Sequence, residues 1–182
     1  PWTATADLTR KVNRDTLRLA GVLNTDIRLS RNDGESNYSE ITAMAESPVD
    51  PLVLWAGTDD GNVQLSQDGG KSWKELSGAI TGVANGSFVD RVVASGASRG
   101  TAFVTFDNHR IGDFTPYIFR TTDFGKSWKA VSAGLPGDAP VRSIAEYPGK
   151  ANVLFAGTER HVYFTTDSGA KWSRLATNLP TT

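Results

Sequence analysis

The sequence predicts an all-β fold made of repeated four-stranded units, and three observations carry that prediction. The run Ser66-Gln67-Asp68-Gly69-Gly70-Lys71-Ser72-Trp73 recurs as Thr121-Thr122-Asp123-Phe124-Gly125-Lys126-Ser127-Trp128. A weaker third copy is Thr165-Thr166-Asp167-Ser168-Gly169-Ala170-Lys171-Trp172. Leu54 to Asp59 is likewise matched by Leu154 to Glu159 and more loosely by Ala102 to Asp107. Finally, no stretch places apolar residues at the helical period of 3.6. Motifs repeated in this way within one chain mark an array of equivalent supersecondary units.

Each unit reads as four short strands, A to D, separated by turns rich in Gly, Pro, Asp and Asn. The A strands are expected near 41–46, 89–94 and 141–146. The B strands hold the second repeated pattern, and the C strands are Val63-Gln64-Leu65, Tyr117-Ile118-Phe119 and Val162-Tyr163-Phe164. Four antiparallel strands per unit, three times over, point to β-propeller blades. The blades are expected at 39–77, 88–135 and 140–180. Strand B is apolar at Leu52, Val53, Leu54, Trp55 and Ala56, as two-sided burial between neighbouring blades requires. Rings such as Trp55, Phe103 and Phe155 are expected to contribute about 1.5–3 kcal/mol each when fully buried.

Pro1-Trp2 with Leu8-Thr9 resembles Trp128 with Leu135-Pro136 and Trp172 with Leu179-Pro180. Residues 1–9 are therefore expected to form the terminal strand of a preceding blade, and 10–38 a long connection. Three blades and one orphan strand do not close a ring. The chain is expected to be a fragment that associates with further blades, from its parent polypeptide or from another copy.

The repeated run spans the C–D turn. Its glycines supply backbone angles that other residues resist. Its aspartate accepts hydrogen bonds from the turn, and its tryptophan fills the space between blades. On this reading Ser66, Asp68, Gly70 and Trp73 are structural. So are Thr121, Asp123, Gly125 and Trp128, and likewise Thr165, Asp167, Gly169 and Trp172. Lys171 replaces the hydroxyl residue, so the third turn is expected to be less well tied.

Composition removes several functions. In 182 residues, 19 Lys plus Arg stand against 20 Asp plus Glu, a net charge of -1. That balance argues against a nucleic-acid surface. No apolar run is long enough for a membrane-spanning helix. With no cysteine, disulfides and thiolate metal sites are excluded. The two histidines lie in separate blades without zinc spacing, so neither a metal nor another cofactor is expected.

The pattern Ser/Thr-x-Asp-x-Gly-x-Ser/Thr-Trp resembles the Asp box of the bacterial neuraminidase repeat, over about residues 39–177. Sialidases, xyloglucanases, the sortilin propeller and photosystem II assembly factors carry it. Further stretches resemble bacterial sortilin-like or glycosyl-hydrolase-like repeat proteins. These are Ser30 to Ser36, Gly57 to Gly61, Phe106 to Arg110 and Asp113 to Tyr117. The resemblance implies a long secreted protein, extracellular or periplasmic. It also implies a role in glycan or peptide binding, or alternatively in glycoside hydrolysis.

In a propeller the C–D turns lie on one face, while the B–C and D–A loops converge on the other, where ligands bind. The candidate ligand residues are Asp59, Asp60, Asn108, His109, Arg110, Glu159 and Arg160 on the B–C loops. Asp90, Arg91 and Arg142 add the starts of the A strands. The middle B–C loop, Asp107 to Thr115, is expected to be the longest. A glycosidase needs two carboxylates across the scissile bond, and Asp59, Asp60 and Asp113, with Asp107, are the candidates. A sialidase-type anion site would use Arg91, Arg110 and Arg142. Structural readings stand beside these. Asp59, Asp60 and Glu159 can close tight hairpins, and His109 with Arg110 can brace its own loop.

Overall fold

The computed structural model describes residues 40–175. The expected strand at 1–9, the connection at 10–38 and the chain beyond 175 lie outside the described residues. Twelve strands form three four-stranded antiparallel sheets. The first holds β1 (Ile41–Ser47), β2 (Asp50–Thr58), β3 (Val63–Ser66) and β4 (Lys74–Glu75). The second holds β5 (Phe88–Ala94), β6 (Ala102–Asn108), β7 (Asp113–Thr121) and β8 (Lys129–Ala130). The third holds β9 (Val141–Tyr147), β10 (Lys150–Thr158), β11 (Val162–Thr165) and β12 (Ser173–Arg174). Strand order follows chain order in every sheet, so each is an up-and-down blade. Among the described residues the only helical turns are short 3-10 turns at Ser77–Ala79 and His109–Ile111.

Alternation along the strands assigns each blade two faces. Val53, Trp55, Val63 and Leu65 of the first blade pack against Val89, Val92, Val104, Phe106 and Phe119 of the second. The other face of the second blade, Phe103 and Ile118, packs against Val141, Ile144, Leu154, Ala156 and Tyr163 of the third. The three sheets thus stack as consecutive propeller blades, with the core between blades. Two expectations about strand B need correction. Leu52 is 53% exposed, because it sits at the A–B end beyond the packed part of the strand. Phe155 is only half-buried, since it lies on the face of the third blade that no other described sheet covers.

The repeated turns are tied in one way. Ser66 Oγ donates to Asp68 Oδ1 at 2.8 Å and accepts from Gly70 N–H at 2.8 Å. Ser72 donates its N–H to Oδ1 at 2.9 Å and its hydroxyl to Oδ2 at 2.5 Å. Thr121, Asp123, Gly125 and Ser127 repeat all four bonds. With the Ser72 and Ser127 hydroxyls as the leading cause, Asp68 and Asp123 are held down at about 2. In the third turn the hydroxyl bond to Oδ2 is missing, and Lys171 contributes only its backbone N–H, at 2.9 Å. Phe124 and Ser168 adopt left-handed φ of 60° and 62°, a conformation these bonds hold against its steric cost.

The tryptophans that end the turns reach back to the preceding blade. Trp128 meets Trp55 edge to face, with ring centroids 6.1 Å apart. Trp172 donates its indole N–H to Val131 O at 2.8 Å. Trp73 instead donates to Gly70 O of its own turn, at 3.2 Å, and stays half-buried.

Candidate functional site

The B–C and D–A ends of the second and third blades build one polar cluster. Register makes Thr42, Asp90 and Arg142 equivalent, each at the top of its A strand. Each stands one residue before the partner of the B-strand position held by Gly57, Thr105 and Gly157. Two residues further along the B strands, Asp59, Asp107 and Glu159 are equivalent. The second and third blades place charged groups at both positions, so four ionisable side chains meet where those blades join.

Asp107 is the hub, with only 6% of its surface exposed. Its Oδ1 accepts the His109 N–H at 2.9 Å, and its Oδ2 lies 2.7 Å from His109 Nδ1. The Arg142 guanidinium of the next blade donates to the same Oδ2 and also to Glu159 Oε1, the latter through Nε at 3.1 Å. Arg91 Nε donates to Arg142 O at 3.3 Å, adding a second link between the blades. Burial alone would raise the Asp107 carboxyl. Hydrogen bonds from His109 and the charge of Arg142 outweigh it and hold the group below its ordinary value.

Asp90 goes the other way. Burial pushes its carboxyl up, and the nearby Asp107 adds to that, against the opposing pull of Arg142 and Arg91. Its Oδ2 is buried and has no hydrogen-bond partner among the described residues. Asp90 lines a cavity of about 150 Å³ together with Phe88, Asp107, His109, Arg110 and Arg142. Arg110 is exposed at the rim, and the exposed Ile111 and the buried Asn108 complete the wall.

The expected long middle loop is absent. The extra length of this unit is taken up by a longer hairpin, in which Asn108 pairs with Asp113 and His109–Ile111 turn the corner. The register shifts between Phe106 and Asn108. Pro116, which has no N–H for the ladder, falls within that bulge. Asp113 faces its own strand. It accepts from Thr115 N–H at 3.0 Å, Tyr117 hydroxyl at 2.9 Å and Asn108 at 3.3 Å. These bonds outweigh its burial and lower its carboxyl.

Asp59 and Asp60 do not join the cluster. Asp59 Oδ1 accepts the Glu40 N–H at 2.8 Å. Asp60 Oδ1 accepts from Thr58 hydroxyl and, at 3.0 Å, from Asn62. Both are buried in the first blade's hairpin, at 5% and 2% exposure. Arg160 pairs with Asp138 at 2.7 Å on the surface. Of the sequence candidates, the structure therefore gathers Asp90, Asn108, His109, Arg110, Arg142 and Glu159, and separates Asp59, Asp60, Asp113 and Arg160 from them. Sequence reasoning missed Phe88 and Ile111 as walls and understated Asp107. The signal for Asp107 was its repeat position, shared with Asp59 and Glu159.

Among the described residues no group of three His, Cys, Asp or Glu can hold a metal ion. No helix there is long and apolar enough to cross a membrane.

Residues 61–182 match the Sortilin-Vps10 family model, described as sortilin, neurotensin receptor 3. Among curated proteins, an oligoxyloglucan-reducing end-specific xyloglucanase of Emericella nidulans is 29% identical over 178 residues. That alignment covers 81% of this chain and 20% of the enzyme, so the chain spans about a fifth of that relative's length. Among solved structures, YCF48 bound to D1 peptide is similar with a TM-score of 0.57 at 21% identity, over 76% of this chain and 41% of that one. The GH74 xyloglucanase from Xanthomonas campestris gives a TM-score of 0.57 at 15% identity, over 84% of this chain and 25% of the enzyme's. At these identities the structural likeness shows the propeller fold alone.

Proposed function

The chain belongs to the Sortilin-Vps10 family, and from that premise we propose that it is part of a β-propeller that binds a polar ligand, a glycan or a peptide. The ligand enters at the B–C and D–A end of the second and third blades. The observation that carries this reading is the buried Asp90 Oδ2 at the wall of the cavity, without a hydrogen-bond partner among the described residues. A buried polar atom without a partner is costly, and a donor from a ligand relieves that cost. The cavity is smaller than the ~300–1,000 Å³ usual for whole ligands. It therefore takes one sugar ring or one side chain of something larger, with Arg110 at the rim.

Further blades belong to the same reading. Tyr147, Phe155 and Phe164 leave the outer face of the third blade partly uncovered, while its counterparts on the first blade, Trp55 and Leu65, are buried under the next blade. We place the protein in the extracellular space or periplasm, as its resemblance to secreted repeat proteins implies.

A second reading, glycoside hydrolysis, is favoured by one feature. Asp90 and Asp107 lie at one cavity with their carboxyls pushed in opposite directions, the pattern of an acid and a base partner. Titration with a xyloglucan oligosaccharide and with a basic tetrapeptide tests both readings. At least one probe is expected to bind, with a tenfold loss in Asp90→Asn and Arg110→Ala. Absence of binding, or equal binding by the variants, removes the site. Release of reducing sugar that vanishes in Asp90→Asn selects the second reading.

A further inference from the structure

The opposite end of the same blade junction carries a second feature. β7 separates the two ends by eight residue steps, roughly 26 Å at ~3.3 Å per residue. Between the turns of the second and third blades lies a groove of about 610 Å³. Its walls include Arg120, Ser127, Trp128 and Lys129 on one side and Asp167 to Ala170 on the other.

The repeat is broken here twice. Leu65, Arg120 and Phe164 are equivalent, because they pair with Trp55, Phe103 and Phe155 respectively. Leu65 is a buried core residue at 3% exposure, so the second blade places a guanidinium where the first has core. Arg120 also pairs across the ladder with Lys129, which sets two cations side by side, a destabilising arrangement. Among the described residues no carboxylate pairs with Arg120, and its Nε is buried without an acceptor. The Phe103 ring, 5.9 Å from the guanidinium carbon, supports it without neutralising it. The second break is Lys171. It leaves Asp167 Oδ2 without the hydroxyl that Ser72 and Ser127 supply to Asp68 and Asp123.

We propose that this groove binds an acidic segment of a peptide, whose carboxylate is held by Arg120 and Lys129. The guanidinium fork matches a carboxylate in plane. Asp167 on the facing wall accepts from the N–H groups that a peptide backbone presents. The small side chains of Ala130, Ala133, Gly169 and Ala170 let an extended chain lie close to the floor. This site is independent of the one at the loop end.

Fluorescence anisotropy of the full chain with fluorescein-labelled tetraglutamate tests it. Tetraglutamate is expected to bind, and Arg120→Leu to weaken binding at least tenfold while the variant unfolds no earlier than the parent. Leucine already serves at the equivalent place in the first blade, and Arg120→Gln provides a second variant should the first misfold. Lys71→Ala, which removes a positive charge from the first blade's turn, is expected to bind as the parent does. No binding overturns the proposal, and so does equal loss in Lys71→Ala, which reports only net charge. Arg120-dependent binding of free glucuronate that tetraglutamate does not share reassigns the groove to an acidic sugar and likewise overturns it.

Discussion

The two blade junctions are built from the same repeat and differ in what crosses them. Between the first and second blades the centre is apolar. Trp55 is fully buried and meets Trp128 edge to face. At the loop end of this seam Thr42 hydroxyl donates to Val89 O at 2.6 Å, and at its turn end Arg99 pairs with Asp50 at 3.3 Å. Between the second and third blades an apolar centre remains as well, but charged groups cross at both ends, the loop end included. Arg142 bridges to Asp107 at the loop end. At the turn end Glu146 accepts from Ser95 hydroxyl at 2.7 Å and from Gly96 N–H at 3.0 Å. The comparison separates two tasks. Mid-strand positions are constrained by packing and keep their apolar character. Strand ends are free of that constraint, and the second junction carries charged side chains at both of them.

The sharpest way to break this comparison is at equivalent aromatic rings. Trp55→Ala is expected to cost about 4 kcal/mol, because a filled junction leaves a cavity that does not collapse. Phe155→Ala, half-buried, is expected to cost about 1 kcal/mol by lost burial alone. Denaturant unfolding of the two variants checks this, and equal costs would contradict the assignment of the faces. A smaller effect is expected at the glycines two residues on. A Cβ at Gly57 would lie 2.2 Å from Val89 Cγ1 of the next blade, so Gly57→Ala is expected to cost about 2 kcal/mol by overpacking. At Gly157 the added atom meets only the Ser143 hydroxyl of its own blade, which can rotate away. Gly157→Ala should therefore unfold close to the parent.

Smaller again are the polar crossings. Asp107→Asn is expected to cost about 1–2 kcal/mol, as the partly exposed Arg142 loses its charged acceptor. Thr42→Val should cost about 1 kcal/mol. A double variant with Arg142→Met tests the first figure: a coupling near zero would show that the charged bridge contributes nothing.

The smallest expected signal is the acid titration of the turns. Asp68 and Asp123, held at about 2, stabilise the fold fully above their ordinary 3.8. They lose that contribution as pH falls through about 2. Asp167 is lowered as well, led by the Thr165 hydroxyl. Lys171→Ser is expected to lower it further by restoring the missing bond. Asp90 has the opposite sign. Its raised carboxyl favours the folded state below 3.8, and that advantage disappears as pH rises. Carboxyl chemical shifts followed by NMR distinguish the two signs.

Much of this was legible in the residues. Glycine at 70, 125 and 169 marks a left-handed turn position, with φ of 88°, 74° and 88°. The aspartate two residues before each is the one carboxylate there, and it accepts from the hydroxyl and amide donors of its turn. The A strands and the apolar B strands could be read because their alternation is local. The fate of Asp59 and Asp107 could not. They occupy the same repeat position, yet one bonds to Glu40 at the start of its own blade and the other faces an arginine in the next blade, a difference made by tertiary placement. The middle hairpin was misjudged for a related reason. Extra residues between two strands can lengthen a loop or the ladder, and only the pairing of Asn108 with Asp113 decides between them.

The bulge in that hairpin has an engineering consequence. Two more residues are used on β7 than on β6 between the Phe106–Tyr117 and Asn108–Asp113 pairs, so the tip is out of register with the blade below it. A change in tip length or content therefore ends at the bulge instead of flipping Phe106 and Phe119 to the wrong face. Residues 108–113 form an exchangeable cassette. Grafting other tips there offers a way to reshape the loop end of the blade while the stacked sheets beneath keep their shape.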